Sequence, residues 1–216
     1  MSPSPSLSAD DGPDLPEFDT PPPAPMPLAR QWLAAATDHD VAEPLSMTLA
    51  TATPAGVVSA RTVDVKSFDD DGLLFGTSTT SPKGRAITAN PNGALQVYWR
   101  ETMQQLRFEG RVVQLADHES DELFAARSPK SRAATAAADQ SAPFTDGPEA
   151  TIADLITAAN ALLDEHGDDV PRPAGWTAYR LVPDMVEFWH GSRDRMYRRI
   201  RYLRVEGGWQ VDRLQP

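Results

Sequence analysis

Cysteine is missing altogether from this chain of 216 residues. That absence excludes disulfides, thiolate-held zinc, iron–sulfur clusters and thiol catalysis. Histidine is scarce: His39, His118, His166 and His190 stand far apart, with no HxxxH or HxH spacing, so a histidine-rich metal site has nothing to build on. No long apolar run occurs and no basic residue precedes Arg30, so neither a secretory leader nor a membrane span is expected, and the cytoplasm is the default location. The phosphate-loop patterns GxxxxGK[ST] and GxGxxG are also missing, which disfavours an NTPase or a Rossmann dehydrogenase, and no GxSxG elbow supports a hydrolase. Positive charge is outnumbered, with 20 Lys+Arg against 31 Asp+Glu and a formal charge of −11. Broad binding to nucleic acid or an anionic membrane needs a positive face. Any cation that matters here must therefore act locally.

What is present falls into regions of different texture. The first 27 residues hold nine of the 20 prolines among Ser, Asp and Gly, a composition that predicts a Pro-rich, largely disordered tail over residues 1–27 and one domain over 28–216. A helix is expected to begin near Pro27, where Leu28, Trp32 and Leu33 recur at helical spacing. From Ser46 onward come short β-branched or aromatic runs, "SMTLATAT", "VVSARTVDV", "GLLFGTS", "ALQVYWR" and "QQLRFEGRVVQL". They are separated by turn chemistry such as "TPAG", "FDDDG" and "NPNG", and they predict an antiparallel meander closing into a small barrel. "DHESDELFAAR" reads as a helix capped by Asp117, and "PEATIADLITAANALLDEH" as a longer amphipathic one. Between them "SPKSRAATAAADQSAPFTDG" has no clear period and reads as a long loop. Strands return in "GWTAYRLVP", "MVEFWHG" and "GWQVDRL".

Four polar clusters are candidates for chemistry. In "ARTVDVK", Arg61 and Lys66 lie five apart, which places them on opposite faces of a regular strand unless a bulge intervenes. In "TSTTSPKGR", hydroxyls from Thr77 to Ser81 and the amine of Lys83 lead into a helix start, the makings of a phosphate cradle. Gln104 and Gln105 are adjacent on a strand, so only one can face a given cleft. "GSRDRMYRRIRYLR" carries six arginines between Arg193 and Arg204. Taken singly, each cluster reads equally well as a solvated face paired with the abundant carboxylates.

Taken in order, the motifs "RTVDVK", "LLFGTSTTSPKGRAITANP", "YWRETMQQLRFEGRV", "DQSA", "VEFWHGSRDRMYRRIRY" and "GGWQVDRLQP" resemble the pyridoxamine 5′-phosphate oxidase family, from about Glu17 to Pro216. Within it, "PEFDTPPPAPM", "WRETMQQ" and the ending "LQP" are similar to the flavin oxidases of phenazine, hence antibiotic, biosynthesis. The resemblance implies a mainly β fold, an antiparallel split β-barrel with flanking helices, assembled as a homodimer with FMN at the interface. It implies FMN contacts at Arg61, Thr62, Val63, Lys66, Gly76, Thr77, Ser81, Lys83, Gln105, Gln140, Ser141, Trp189 and Arg199. It implies substrate contacts at Lys66, Arg127, Ser131, Arg195 and Tyr197, and no dedicated acid–base residue. The activity implied is an FMN-dependent oxidase, with hydride passing from a reduced heteroaromatic to the flavin and O2 reoxidising it. Pyridoxine/pyridoxamine 5′-phosphate oxidase is the alternative, and a non-oxidase flavin- or deazaflavin-binding split barrel is a third. Three departures bear on the choice. Pro82 stands where the family has an arginine, Leu123 where the vitamin B6 enzymes have a tyrosine, and Tyr197 where they have a histidine.

Overall fold

β-Branched and aromatic runs between tight turns form eight strands in the computed structural model, which describes residues 15–144, 151–192 and 194–216. They are β1 (Ser46–Ala52), β2 (Val58–Asp69), β3 (Gly72–Ser78), β4 (Asn92–Trp99), β5 (Gln104–Gln114), β6 (Trp176–His190), β7 (Arg198–Val205) and β8 (Gly208–Leu214). Every pairing is antiparallel, in the order β3-β2-β1-β4-β5-β6-β7-β8, and a further β3–β6 pairing closes β1–β6 into a six-stranded barrel. The chain is a split barrel because β6, with β5 along one edge, is long enough to serve two partners along the other. Its first part, Trp176–Leu181, pairs with β3, while Met185–His190 pairs with β7. A simple meander is not what forms: β1 pairs with both β2 and β4, so β3 and β4 are not neighbours.

Among the described residues five α-helices flank the barrel: α1 (Pro25–Asp38), α2 (Pro82–Ala89), α3 (Asp117–Ala125), α4 (Pro129–Ala137) and α5 (Ile152–His166). Two differ from the sequence reading. Asp117 is the first residue of α3 rather than its cap, and the preceding Ala116 N–H donates to Glu119 Oε2 at 3.1 Å. The supposed loop contains α4, capped by Ser128, whose Oγ accepts from Ser131 N, with Pro129 in the first turn. Its inward residue Ala133 is fully buried, but a face built on alanine gives no hydrophobic period to read.

The core fills the barrel with Leu49, Leu95, Leu106, Phe108 and Val186 and continues under α1, where Trp32 meets Phe188 edge-on at 5.0 Å. Side chains of this size stabilise by about 1.5–3 kcal/mol each when buried. Leu15, Phe18 and Met26 belong to the same core, so the packed body reaches back to Leu15 and a boundary at residue 28 would cut through α1. The expected disorder of residues 1–14 lies outside the described residues. Among the described residues no helix is long and apolar enough to cross a membrane.

Candidate functional site

The turn after β3 is shaped by one serine and one glycine. Ser81 caps α2, its hydroxyl accepting from Gly84 N at 3.2 Å and donating to Ser78 O at 2.7 Å. A Cβ on Gly84 would lie 2.3 Å from Ser78 O, so only glycine lets the loop fold this tightly over the helix start. Pro82 occupies the first turn, where its missing N–H costs nothing. Three donors then converge on one acceptor. Gln140 Oε1 receives Thr77 Oγ1 at 2.9 Å, Lys83 Nζ at 3.0 Å and Ser78 N at 3.4 Å. Lys83 is only 8% exposed, and its pKa is lowered by burial and by the nearby charge of Arg61. Arg61 spends its donors on Leu49 O, Thr51 Oγ1 and Ser59 Oγ. Among the described residues neither cation pairs with a carboxylate. A pocket of donors with uncompensated positive charge is what an oxyanion needs.

Beside this cradle lies a hollow of about 730 Å³ lined by Thr62, Val63, Lys66, Gly76, Thr77, Lys83, Leu123, Arg127, Ser131, Gln140 and Trp176, among others. A second lobe of about 690 Å³ shares Gly76, Thr77, Arg127, Ser131, Gln140 and Trp176. The Trp176 indole lies so close to Gly76 that a Cβ there would meet the ring at 2.1 Å. Arg127 is held in place, its guanidinium 5.4 Å from the centroids of both Phe124 and Trp176 and donating to Thr135 Oγ1 at 2.8 Å. Burial lowers its pKa, opposed by the charge of Asp64 and assisted by that of Arg132. Lys66 sits at a bulge, where the β2–β3 register jumps between Val65 and Ser67. The bulge does not bring it to the side of Arg61: Lys66 lines the hollow and pairs with Asp64, whereas Arg61 does not line it.

The remaining candidates assemble elsewhere. Tyr98, Gln105, Trp189 and Arg199 stand directly opposite one another across β4, β5, β6 and β7, one row on one face. Gln105 is thus the glutamine that faces a cleft, while Gln104, 2% exposed, turns into the body. Gln105 Oε1 accepts from Gln96 Nε2 at 3.0 Å. Tyr98 and Tyr197 flank Trp189, their ring centroids 6.3 and 5.0 Å from its own, around a depression of about 460 Å³. Arg199 donates from Nε and Nη2 to Glu187 Oε1 at 3.2 and 3.0 Å, and Arg107 donates to Glu187 Oε2 at 2.9 Å. Glu187 is 3% exposed, so a buried carboxylate holds two guanidiniums in place.

The chain therefore carries two half-sites whose linings share no residue. Of the expected contacts, Arg61, Ser81, Ser141, Arg195 and Arg199 line none of these hollows, and two of them stand on exposed loops. Ser141 stands on an exposed loop at φ +68°, and Arg195 on an exposed turn at φ +64°, both in the left-handed region. Asp194 builds that turn by accepting from Ser192 Oγ at 2.5 Å and Met196 N at 2.8 Å, bonds that lower its pKa. Arg193, counted in the arginine-rich cluster, lies outside the described residues. Sequence reasoning missed Trp176, Phe124, Thr135 and Glu187. The first three act through contacts between separate elements, and only the Glu–Phe–Trp string beside Trp189 hinted at the last.

The amino-acid sequence matches the family model "Pyridoxamine 5′-phosphate oxidase" over residues 33–157 and "Pyridoxine 5′-phosphate oxidase C-terminal dimerisation region" over residues 176–216. It is 40% identical to a dihydrophenazinedicarboxylate synthase of Burkholderia lata, over 94% of this chain and 92% of that one. It is equally 40% identical to a pyridoxine/pyridoxamine 5′-phosphate oxidase of Bordetella petrii, over 89% of this chain and 90% of that one. Among solved structures, PhzG of Burkholderia lata 383 in complex with tetrahydrophenazine-1-carboxylic acid superposes with a TM-score of 0.88 at 40% identity, covering 94% of this chain and 97% of that one. An FMN-binding, pyridoxamine 5′-phosphate oxidase-related protein of Nostoc punctiforme shares the fold at a TM-score of 0.69 and 20% identity, covering 89% and 98%.

Proposed function

The chain belongs to the pyridoxamine 5′-phosphate oxidase family, and from that premise we propose an FMN-dependent oxidase acting on a reduced heteroaromatic acid of the dihydrophenazine class, in phenazine biosynthesis. The observation that carries the cofactor assignment is the cradle. Thr77, Ser78 and Lys83 aim three donors at one point, with the uncompensated charge of Arg61 nearby. Such donors fit a phosphate dianion, and each charge-assisted hydrogen bond contributes about 1.5–3 kcal/mol. The Gln105 amide, the Trp189 ring and Arg199 fit the other end of the same molecule, an electron-rich ring that gains negative charge on reduction.

Because the two half-sites share no lining residue, FMN is assigned to the interface of a homodimer, the cradle of one protomer facing the Gln105–Trp189–Arg199 row of its partner. Bound flavin supplies the hydride acceptor and the return of electrons to O2. The chain's own residues bind and align. Arg127, held against two aromatic rings, holds an acidic group of the substrate, with Lys66 and Ser131 lining the same hollow. Tyr197 would lie against the substrate ring, and Arg195, on its exposed turn outside both hollows, would reach the acidic edge once substrate is bound. A dihydro-aromatic gives up hydride readily once aligned, so positioning suffices without a general base.

Two lining residues favour this substrate class over pyridoxine phosphate. Leu123 lines the hollow and Tyr197 the depression, in place of the hydroxyl and imidazole of the vitamin B6 enzymes. The test is anaerobic mixing of purified holoprotein with a dihydrophenazine acid. Bleaching of the flavin band is expected, followed by recovery and peroxide on admitting O2. A flavin that stays oxidised with that class, in a preparation that forms pyridoxal phosphate from micromolar pyridoxine phosphate, would turn the assignment to the vitamin B6 reaction, which the Bordetella petrii relative keeps in view.

A further inference from the structure

We infer that residues 15–24 form a brace that positions the aromatic half-site from behind. Its consequence for flavin rests on the reading above, while the brace itself is a matter of packing. The front row of Tyr98, Gln105, Trp189 and Arg199 has a back. In the adjacent register Trp99, Gln104, His190 and Arg198 pair directly across the same four strands. Neighbouring strand residues point to opposite faces, so whatever packs on the back row fixes the backbone that carries the front.

The N-terminal segment supplies that packing. The Phe18 ring lies 6.5 Å from that of His190 and 5.9 Å from that of Trp32, and the Arg198 guanidinium sits 4.8 Å from its centroid. The Asp19 carboxylate accepts from Arg198 Nη2 at 2.8 Å, and the Asp19 carbonyl accepts from Arg213. Tyr202 donates its hydroxyl to Pro22 O at 3.0 Å, and buried Glu17 accepts from the Trp32 indole. One short segment thus ties α1 to the end of β6 and to β7 and β8. Four prolines in these ten residues restrict the unfolded chain, so few contacts are enough to order the segment. His190 and Arg198, which it grips, are the immediate neighbours of Trp189, Tyr197 and Arg199.

The test uses the full chain. Phe18→Leu keeps an apolar side chain but removes the ring contacts, and Asp19→Asn removes the ion pair. The double variant is compared with Phe68→Leu, a similar loss where Phe68 meets Phe108 at 5.6 Å, away from the strap. In flavin-free protein, backbone amides of residues 188–190 and 199–202 are expected to exchange hydrogen about tenfold faster in the double variant alone, with β1 and β2 unchanged. In titrations, the FMN dissociation constant is expected to rise about five- to tenfold in the double variant and less than about twofold in Phe68→Leu, at similar losses of melting temperature. Unchanged exchange at β6 and β7 in the double variant overturns the brace, whether or not flavin binds. Faster exchange with unaltered FMN affinity overturns its positioning role. A wild-type chain that takes up no FMN sinks the flavin reading instead, and the exchange rates still decide the brace.

Discussion

The cradle after β3 and the row across β4–β7 recognise what we assign as one molecule by opposite means. The cradle is local and charged: Thr77, Ser78, Ser81 and Lys83 fall within seven consecutive residues, and its shape is set by the Ser81 cap and the close turn at Gly84. The row is assembled from four strands and is mostly apolar or amide, its one cation, Arg199, already satisfied by buried Glu187. Uncompensated charge is concentrated where a dianion is to be held, and compensated charge where a ring is to lie flat. An acidic chain can bind an acidic cofactor in this way, because only the charges within a few ångströms of the phosphate decide its affinity.

Four measurements would break or sharpen this contrast. The largest effect is expected from the cradle. Replacing both Arg61 and Lys83 with alanine should weaken FMN binding about a hundredfold, read by quenching of flavin fluorescence, since the charge-assisted contact of Lys83 and the nearby uncompensated charge of Arg61 are lost together. A drop of less than about tenfold would place the binding energy in the row instead. Next, Glu187→Gln should lower unfolding stability by about 2 kcal/mol in urea titrations, because two guanidiniums lose their shared buried carboxylate. FMN affinity should change far less than in the cradle variant. Smaller again, Tyr197→Ala removes a ring 5.0 Å from that of Trp189 and should raise KM for the substrate about three- to tenfold with kcat nearly unchanged.

The mildest effect is a pH dependence. Burial and Arg61 hold the Lys83 pKa below 10.5, so the proton that phosphate needs is fully present below the lowered value and lost as pH rises through it. FMN affinity should fall over that alkaline interval, and Lys83→Arg should shift the fall to higher pH. Stability of the flavin-free chain should move the other way there, rising with pH, because the unfolded chain binds more protons. Parallel titration of affinity and melting temperature separates the two slopes.

The contrast also explains what could be read from the sequence. The cradle was legible because its residues are consecutive, and hydroxyls followed by a lysine at a helix start have a local physical meaning. Gln105 and Arg199 stood in separate polar clusters and Trp189 entered only through family resemblance, since nothing in the local pattern says that three separate strands will bring them into register. Residues 15–27 show the same limit of local reading. Their composition speaks of disorder, but the contacts that order them, to His190, Arg198, Tyr202 and Arg213, come from the far end of the chain. Helix α4 escaped because alanine carries little hydrophobic contrast.

By itself the sequence determined the strand and turn segments, the helix cap at Ser81 and the local supply of donors, because alternation, turn residues and capping act over a few neighbours. Only the tertiary structure decided that β6 would serve both β3 and β7 along one edge, that Gln105 rather than Gln104 would face outward with Trp189 and Arg199, and that Glu187 would hold two arginines. Those outcomes follow from strand register and barrel closure. Both are settled by burying the whole apolar interior at once, a quantity that no short stretch of chain contains.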